Sequence, residues 1–260
     1  MSQATTTISG VSALGKNITI INNVSNPNTQ IDFGAGNTVD STGSIRMITT
    51  AMTKILNNSG SWTAGTGQNG LLTGARANSS TYHCFVIRNP TTLAVDFGFL
   101  LGVNATTPDP TAALPSGFTQ YKRIGSILTD GSGNIRAGLF EFFSGGYKFN
   151  FNTYIVEAAS PVSVTTSRAS TTITTPAGIS VTAMLNAHYS FTNGGDTLTL
   201  FKGGTSIAQS LIIGNSSATN VAANGNPTIS TSTSSQIDMQ TLVGTRSTTL
   251  NNFGWIDYTN

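Results

Sequence analysis

Acid–base cleavage of a glycan needs two carboxylates held roughly 5 to 10 Å apart, and the ten acidic residues supply the only raw material for it: Asp32, Asp40, Asp96, Asp109, Asp130, Glu141, Glu157, Asp196, Asp238 and Asp257. All ten are isolated in sequence, and several stand at turns, where a carboxylate capping its own backbone is the expected role. His83 and His188 are the only histidines, and no Gly-x-Ser-x-Gly elbow accompanies them. His83 adjoins Cys84, but neighbours on a strand point to opposite faces, so the two do not form a thiolate–imidazole pair. One cysteine and two distant histidines fall short of the four ligands of a zinc site. Asp130 and Asp196 could offer loop oxygens to calcium, against the plainer reading of an Asp-Gly turn. Gly131-Ser132-Gly133 lacks a following Lys-Ser/Thr, so it reads as a hairpin tip rather than a phosphate cradle. The expectation is a chain with no catalytic residue, no cofactor and no bound metal.

What must position these residues is read from composition. Only 8% of the 260 residues are charged, against about 25% in an ordinary globular protein, and Thr, Ser, Asn and Gly dominate the remainder. Hydroxyls and amides must then satisfy the polar surface, Thr suits pleated strands, and Gly and Asn suit turns. A 38% hydrophobic content, with 13 Phe, 6 Tyr and 2 Trp, supports a core. The formal charge is +2, so self-repulsion is small and packing against copies of the same chain is electrostatically easy. The 12 basic residues are scattered from Lys16 to Arg246, with Lys122-Arg123 the only adjacent pair, which argues against nucleic acid as a partner. Met1 to Thr5 begin no secretory signal, and no apolar run approaches the roughly 18 residues of a membrane span. Synthesis in a cytoplasm and no membrane insertion are expected. Cys84, in the run Tyr82-His83-Cys84-Phe85-Val86-Ile87, reads as a small buried hydrophobe.

The punctuation yields an all-β chain in three parts. Residues 1–30 read as an extended arm: Ile8, Val11, Leu14 and Ile18 have helical spacing, but Gly10 and Gly15 oppose a helix. Residues 31–145 read as a β-rich module with hairpins. Ile45 to Leu56 leans to strand on its threonines, and Tyr82 to Arg88 pairs with Leu93 to Gly102 across Asn89-Pro90-Thr91-Thr92. A second hairpin is expected from Tyr121 to Leu128, over an Asp130-Gly131-Ser132-Gly133 tip, into Asn134-Ile135. Residues 146–260, with turn signals at Pro161, Pro176-Ala177-Gly178, Asn193 to Asp196, Gly203-Gly204 and Asn224 to Pro227, read as an antiparallel, jelly-roll-like β-sandwich of seven or eight strands closed by Phe253 to Tyr258. Trp62, Tyr189 and Tyr258 are the candidate receptor or subunit-interface contacts, because aromatic rings on sandwich loops stack on sugars or pack between subunits.

From Tyr82 onward the order of several pieces is similar to a recurring module of tailed-bacteriophage virion proteins, found in tail-fibre-like and other tail-associated products. The pieces are Tyr82-His83-Cys84-Phe85-Val86-Ile87-Arg88, Val95-Asp96-Phe97, Leu114-Pro115-Ser116-Gly117-Phe118, Tyr121-Lys122-Arg123-Ile124-Gly125-Ser126-Ile127, Thr129 to Ile135, and Gly254-Trp255-Ile256-Asp257. Ile31-Asp32 and Asp40-Ser41-Thr42 agree more loosely. The resemblance implies a non-enzymatic virion protein assembled in the host bacterial cytoplasm. It would be a short homotrimeric tail fibre or baseplate tip, with the arm docked on other virion proteins and the sandwich turned towards host surface glycan. A capsid decoration or head-fibre protein, and a glycan-degrading tailspike, are the alternatives. The chain departs from the resemblance in lacking a long repetitive shaft and in carrying Phe142-Phe143-Ser144-Gly145-Gly146 at a place where relatives are more polar.

Overall fold

Alternating and continuous apolar runs of β-branched and aromatic residues set the architecture, which a computed structural model describes for residues 18–103, 106–143, 145–157, 162–191, 196–213 and 221–258. The described chain is all-β, with one short 3-10 turn at Thr111–Ala113. Its centre is β7 (Thr81–Arg88), flanked antiparallel by β8 (Val95–Leu101) and β9 (Gln120–Leu128). Seven of the eight β7 residues are buried, as expected of a run that is apolar on both faces. Tyr82, Cys84 and Val86 face a large cluster with Phe33, Phe97 and Phe99, whereas Phe85 and Ile87 join a smaller one with Leu72, Trp62, Phe118 and Tyr121. The Phe33 and Phe97 rings stack at 4.2 Å.

Around this sheet lie β1 (Ile20–Asn22), β2 (Gln30–Phe33), β5 (Met52–Ile55) and β6 (Gln68–Asn69) as a four-stranded sheet, and β3 (Gly36–Val39) with β4 (Arg46–Thr49) as a ribbon. The ambiguous Ile45 to Leu56 stretch is therefore strand, divided between two sheets. Ile18 and Ile20 are buried in the large cluster, so the extended arm expected through residue 30 gives way to core by Ile18; Ile8, Val11 and Leu14 lie outside the described residues. The expected second hairpin shrinks to a single bridge, Thr129 to Ile135. Its tip forms as anticipated, since the Asp130 carboxylate accepts from the backbone of Ser132 and Asn134, each at 2.8 Å. Ile135, however, is buried in the core and its N–H is donated to Asn28 at 2.9 Å, which draws the chain away from β9.

The chain continues through β10 (Gly138–Phe143), β11 (Gly146–Val156), β12 (Val162–Val164), β13 (Ala169–Thr172), β14 (Thr182–Phe191), β15 (Thr197–Lys202), β16 (Ala208–Ile213), β17 (Val221–Gly225), β18 (Thr228–Ser230), β19 (Gln236–Thr241) and β20 (Arg246–Asp257). Asn226-Pro227 separates β17 from β18, both of which pair with β14, because proline cannot donate to a ladder. Counting that interrupted pair as one strand, the eight strands from β12 onward lie in the order first, eighth, third, sixth in one sheet and second, seventh, fourth, fifth in the other. This is the jelly-roll order. Leu185, Ala187 and Tyr189 of β14 meet Leu198, Leu200, Ile237 and Met239 of the opposing sheet in a second apolar cluster. The β10–β11 hairpin extends the first sheet, and residue 145 sits at its tip. Tyr147, Phe149 and Trp255 belong to the cluster built by β1, β2 and β7 to β9, so the boundary drawn at 145/146 cuts a hairpin whose inner face serves the N-terminal core.

Lys54 on β5 is fully buried. Its ammonium donates to the carbonyls of Thr63 (2.7 Å) and Gly65 (3.2 Å), pairs with Asp96 at 3.1 Å, and lies 4.9 Å from the Trp62 ring centre. Burial lowers its pKa, and the facing Asp96 charge opposes that shift. Removing one partner strands a buried ion, which costs about 3 to 5 kcal/mol. Asp96→Ala is expected to lose stability on that scale in urea denaturation, and the double variant Lys54→Met/Asp96→Ala to recover part of it; equal losses in the two would show that the pair is not what holds the 57–67 loop.

Candidate functional site

Between the N-terminal sheets and the jelly roll runs a buried polar seam. Ala177, in the turn after β13, has both backbone groups held by β7. Its N–H donates to Thr81 Oγ1 at 2.9 Å and its carbonyl lies 2.9 Å from His83 Nε2. A carbonyl only accepts, so Nε2 carries the imidazole proton and Nδ1 accepts from the Ser126 hydroxyl at 2.9 Å. Arg123 donates to Ser126 Oγ at 3.3 Å and grips Asp257 of β20 through two bonds of 2.7 and 3.0 Å. His83 and Ser126 have the contact geometry of a base and a nucleophile, but both are fully buried. No substrate reaches them, and the imidazole nitrogen that faces serine is already hydrogen-bonded to it. Cys84 packs on the opposite side of β7 in the large cluster, and burial pushes its thiol pKa up.

Beside this seam opens a cleft of about 550 Å3. Ser79 and Ser80 before and at the foot of β7, Leu128 and Thr129 at the end of β9, Arg136 beyond the Asp130 turn, Glu157 after β11, Thr172 to Thr175 at the end of β13, and Ser234 to Gln236 before β19 line it. Glu157 accepts from the Thr174 N–H (2.7 Å), the Thr174 hydroxyl (2.9 Å) and the Asn252 amide (2.8 Å). Desolvation raises its pKa above the ordinary carboxylate value, with these bonds opposing the shift. Among the described residues it is the single carboxylate in the lining, so they do not assemble the pair required for glycan hydrolysis in this cleft. Arg136 has a buried Nε with no hydrogen-bond partner. Sequence reading named neither Glu157 nor Arg136 as a site residue; each is isolated in the chain and meets the other only through folding.

The three aromatic candidates lie in three different surroundings, and none lines the cleft. Trp62 is half-buried, donates to the Phe97 carbonyl at 2.8 Å and packs edge-on to Phe118 at 5.1 Å. Tyr189 is fully buried inside the jelly roll, which corrects its assignment as a surface contact: β14 alternates, and its odd-numbered residues from Ala183 to Tyr189 face the sandwich interior. Tyr258 is exposed and meets Phe143 edge-on at 6.0 Å. The two loop carboxylates considered for calcium have other partners: Asp130 caps its own turn, and buried Asp196 pairs with Arg246 and accepts from the backbone of Thr197 and Val243. Among the described residues no cluster of His, Cys, Asp or Glu has the make-up of a metal site, and no helix is long and apolar enough to cross a membrane.

No family model matches the chain, and no curated protein matches it. Among solved structures, "Structure of infectious bursal disease virus Gx strain" is similar at 12% identity over 92% of this chain and 68% of that chain, with a TM-score of 0.19. A likeness of that size carries no argument about fold or function, so both rest on the residues described above.

The seam gives a pH-dependent outcome. Burial, reinforced by the Arg123 charge, lowers the His83 pKa from 6.5 to about 3. Between these values the unfolded chain holds a proton that the folded chain does not, so the stability associated with neutral His83 is present above pH 6.5 and is lost as pH falls towards 3. Urea midpoints of the wild type are expected to fall through that window, and His83→Gln to flatten the fall relative to wild type while lowering stability at pH 7. Parallel profiles for the two proteins would remove His83 as the titrating group.

Proposed function

We propose that the chain is a non-enzymatic structural protein of a tailed-phage virion, a short homotrimeric tail fibre or baseplate tip that contributes to attachment at the host surface. The observation that carries this reading is the jelly-roll order of β12 to β20, an architecture used by viral capsid and lectin domains, joined to a second β-module by a buried polar seam. Fold is not function, so the surface and the chemistry are weighed with it. Leu139 and Phe143 are exposed on β10, at the edge of the large sheet, while Tyr154 and Val156 of β11, Phe253 of β20 and Tyr258 add further exposed apolar side chains. An apolar, unpaired edge is a liability for an isolated subunit and an asset for an assembled one. The groups that could do chemistry have structural partners: His83 and Ser126 hold the seam, Cys84 fills the core, and Asp96, Asp196, Asp238 and Asp257 are in ion pairs.

The particle location is tested with an antibody raised against the jelly roll and applied to virions that package this gene. Tail-tip labelling is expected; labelling over the head would favour a capsid decoration protein, and absence from purified particles would remove the virion reading. Sedimentation of the purified chain is expected to show a trimer, and a monomer at micromolar concentration would count against the fibre. Release of oligosaccharide from host polysaccharide by the purified protein would replace the structural reading with a tailspike enzyme.

A further inference from the structure

The cleft between the two modules has a wall chemistry that selects a class of ligand, and nothing in the virion reading assigns it a role. Several hydroxyls in its lining have already given away their protons. Ser80 donates to the Asn78 carbonyl at 2.7 Å, Thr174 to Glu157 at 2.9 Å and Ser235 to the Thr175 carbonyl at 2.9 Å. What such oxygens retain is lone pairs, and the Glu157 carboxylate likewise only accepts. That part of the wall asks for donors. Arg136 does the reverse: its guanidinium only donates, and among the described residues its side chain makes no hydrogen bond, so its terminal nitrogens are the donors left for a guest in the cleft it lines. That part asks for acceptors.

An anion matched to Arg136 would meet Glu157, and a cation matched to Glu157 would meet Arg136; the two charges lie close enough that Arg136 lowers the Glu157 pKa. A guest that is neutral overall, with donors and acceptors on the same skeleton, satisfies both ends. About 550 Å3 falls in the usual range of about 300 to 1,000 Å3 for small-molecule sites, ample for one or two sugar rings. We propose that this cleft is a binding site for a neutral saccharide, held by hydrogen bonds from Arg136 and to the hydroxyl-lined wall of Thr172 to Thr175 and Ser234 to Gln236. Recognition there is by hydrogen bonding rather than ring stacking, since no aromatic side chain is in the lining among the described residues, and the site is distinct from Trp62, Tyr189 and Tyr258.

The test uses the full chain with glucose, galactose, N-acetylglucosamine and glucuronate as probes at millimolar concentration, read by saturation-transfer NMR and calorimetry. At least one neutral sugar is expected to bind. Arg136→Gln should weaken it at least tenfold without shifting the thermal midpoint, because among the described residues the Arg136 side chain makes no hydrogen bond to protein, and Thr172→Val should weaken it several-fold. Arg46→Gln, on β4 away from the cleft, should leave it unchanged. Binding of no neutral sugar, binding that survives both cleft substitutions, or tighter binding of glucuronate than of every neutral sugar would each overturn the proposal. The measurement is made on the isolated protein, so sugar binding by a chain that labels no virion would leave this inference standing while removing the structural role, and a virion component that binds none of the probes would do the opposite.

Discussion

Ala177 to His83, His83 to Ser126, Ser126 to Arg123 and Arg123 to Asp257 form one continuous hydrogen-bonded line between a jelly-roll turn and the last strand, passing through the sheet of the other module. Each step fixes the next. The carbonyl of Ala177 sets the imidazole tautomer, the tautomer makes Nδ1 an acceptor, and the serine oxygen that donates to it can then accept from Arg123. In a low-dielectric interior such a chain is stabilising only when every member is satisfied, and removal of any one leaves its neighbour stranded. The modules are consequently locked in one register.

Strand β20 makes the same connection in apolar terms. Its N-terminal part pairs with β12 and places Leu250 in the sandwich core, while its C-terminal part pairs with β11 and places Trp255 in the other core, stacked on Phe149 at 4.3 Å. Gly254, at φ 144°, lies at this changeover, where an added Cβ would fall 1.8 Å from the Phe149 carbonyl; only glycine lets the two strands approach there. The polar seam and the shared strand thus act on the same boundary, and the Arg136–Glu157 cleft is the space they leave beside them.

The scarcity of charge takes on a different meaning once the fold is seen. Of the five ion pairs among the described residues, four place the carboxylate side chain at 5% exposure or less: Asp96, Asp257, Asp238 and Asp196. These four carboxylates are each satisfied by a cation and by hydrogen bonds. Of these four pairs, Arg123–Asp257 joins β9 to β20 across the two modules, Lys54–Asp96 lies within the first module, and Arg168–Asp238 and Arg246–Asp196 lie within the jelly roll.

Much of this architecture was legible in the chain. Period-two runs, Gly- and Asn-rich turns and the scarcity of helical spacing set an all-β protein with a jelly-roll-like second half, and the Asp130 turn, the hairpin around Asn89, the burial of Cys84 and the opposed directions of His83 and Cys84 follow from local rules. The second hairpin is cut short because Ile135 is claimed by a distant core, Ile18 and Ile20 complete a cluster built elsewhere, and Tyr189 faces inward, a choice left open by alternation, which says that a strand has two faces but not which one is inside. The seam and the cleft were beyond sequence reading for the same reason: Arg123 and Asp257 are 134 residues apart and Ala177 and His83 are 94 apart. Local chemistry determined which segments become strands and turns, because that choice is made by neighbours along the chain. Which side chains share a buried hydrogen bond was decided by the tertiary structure alone, because it depends on how sheets stack, and stacking is set by apolar surface gathered from the whole polypeptide.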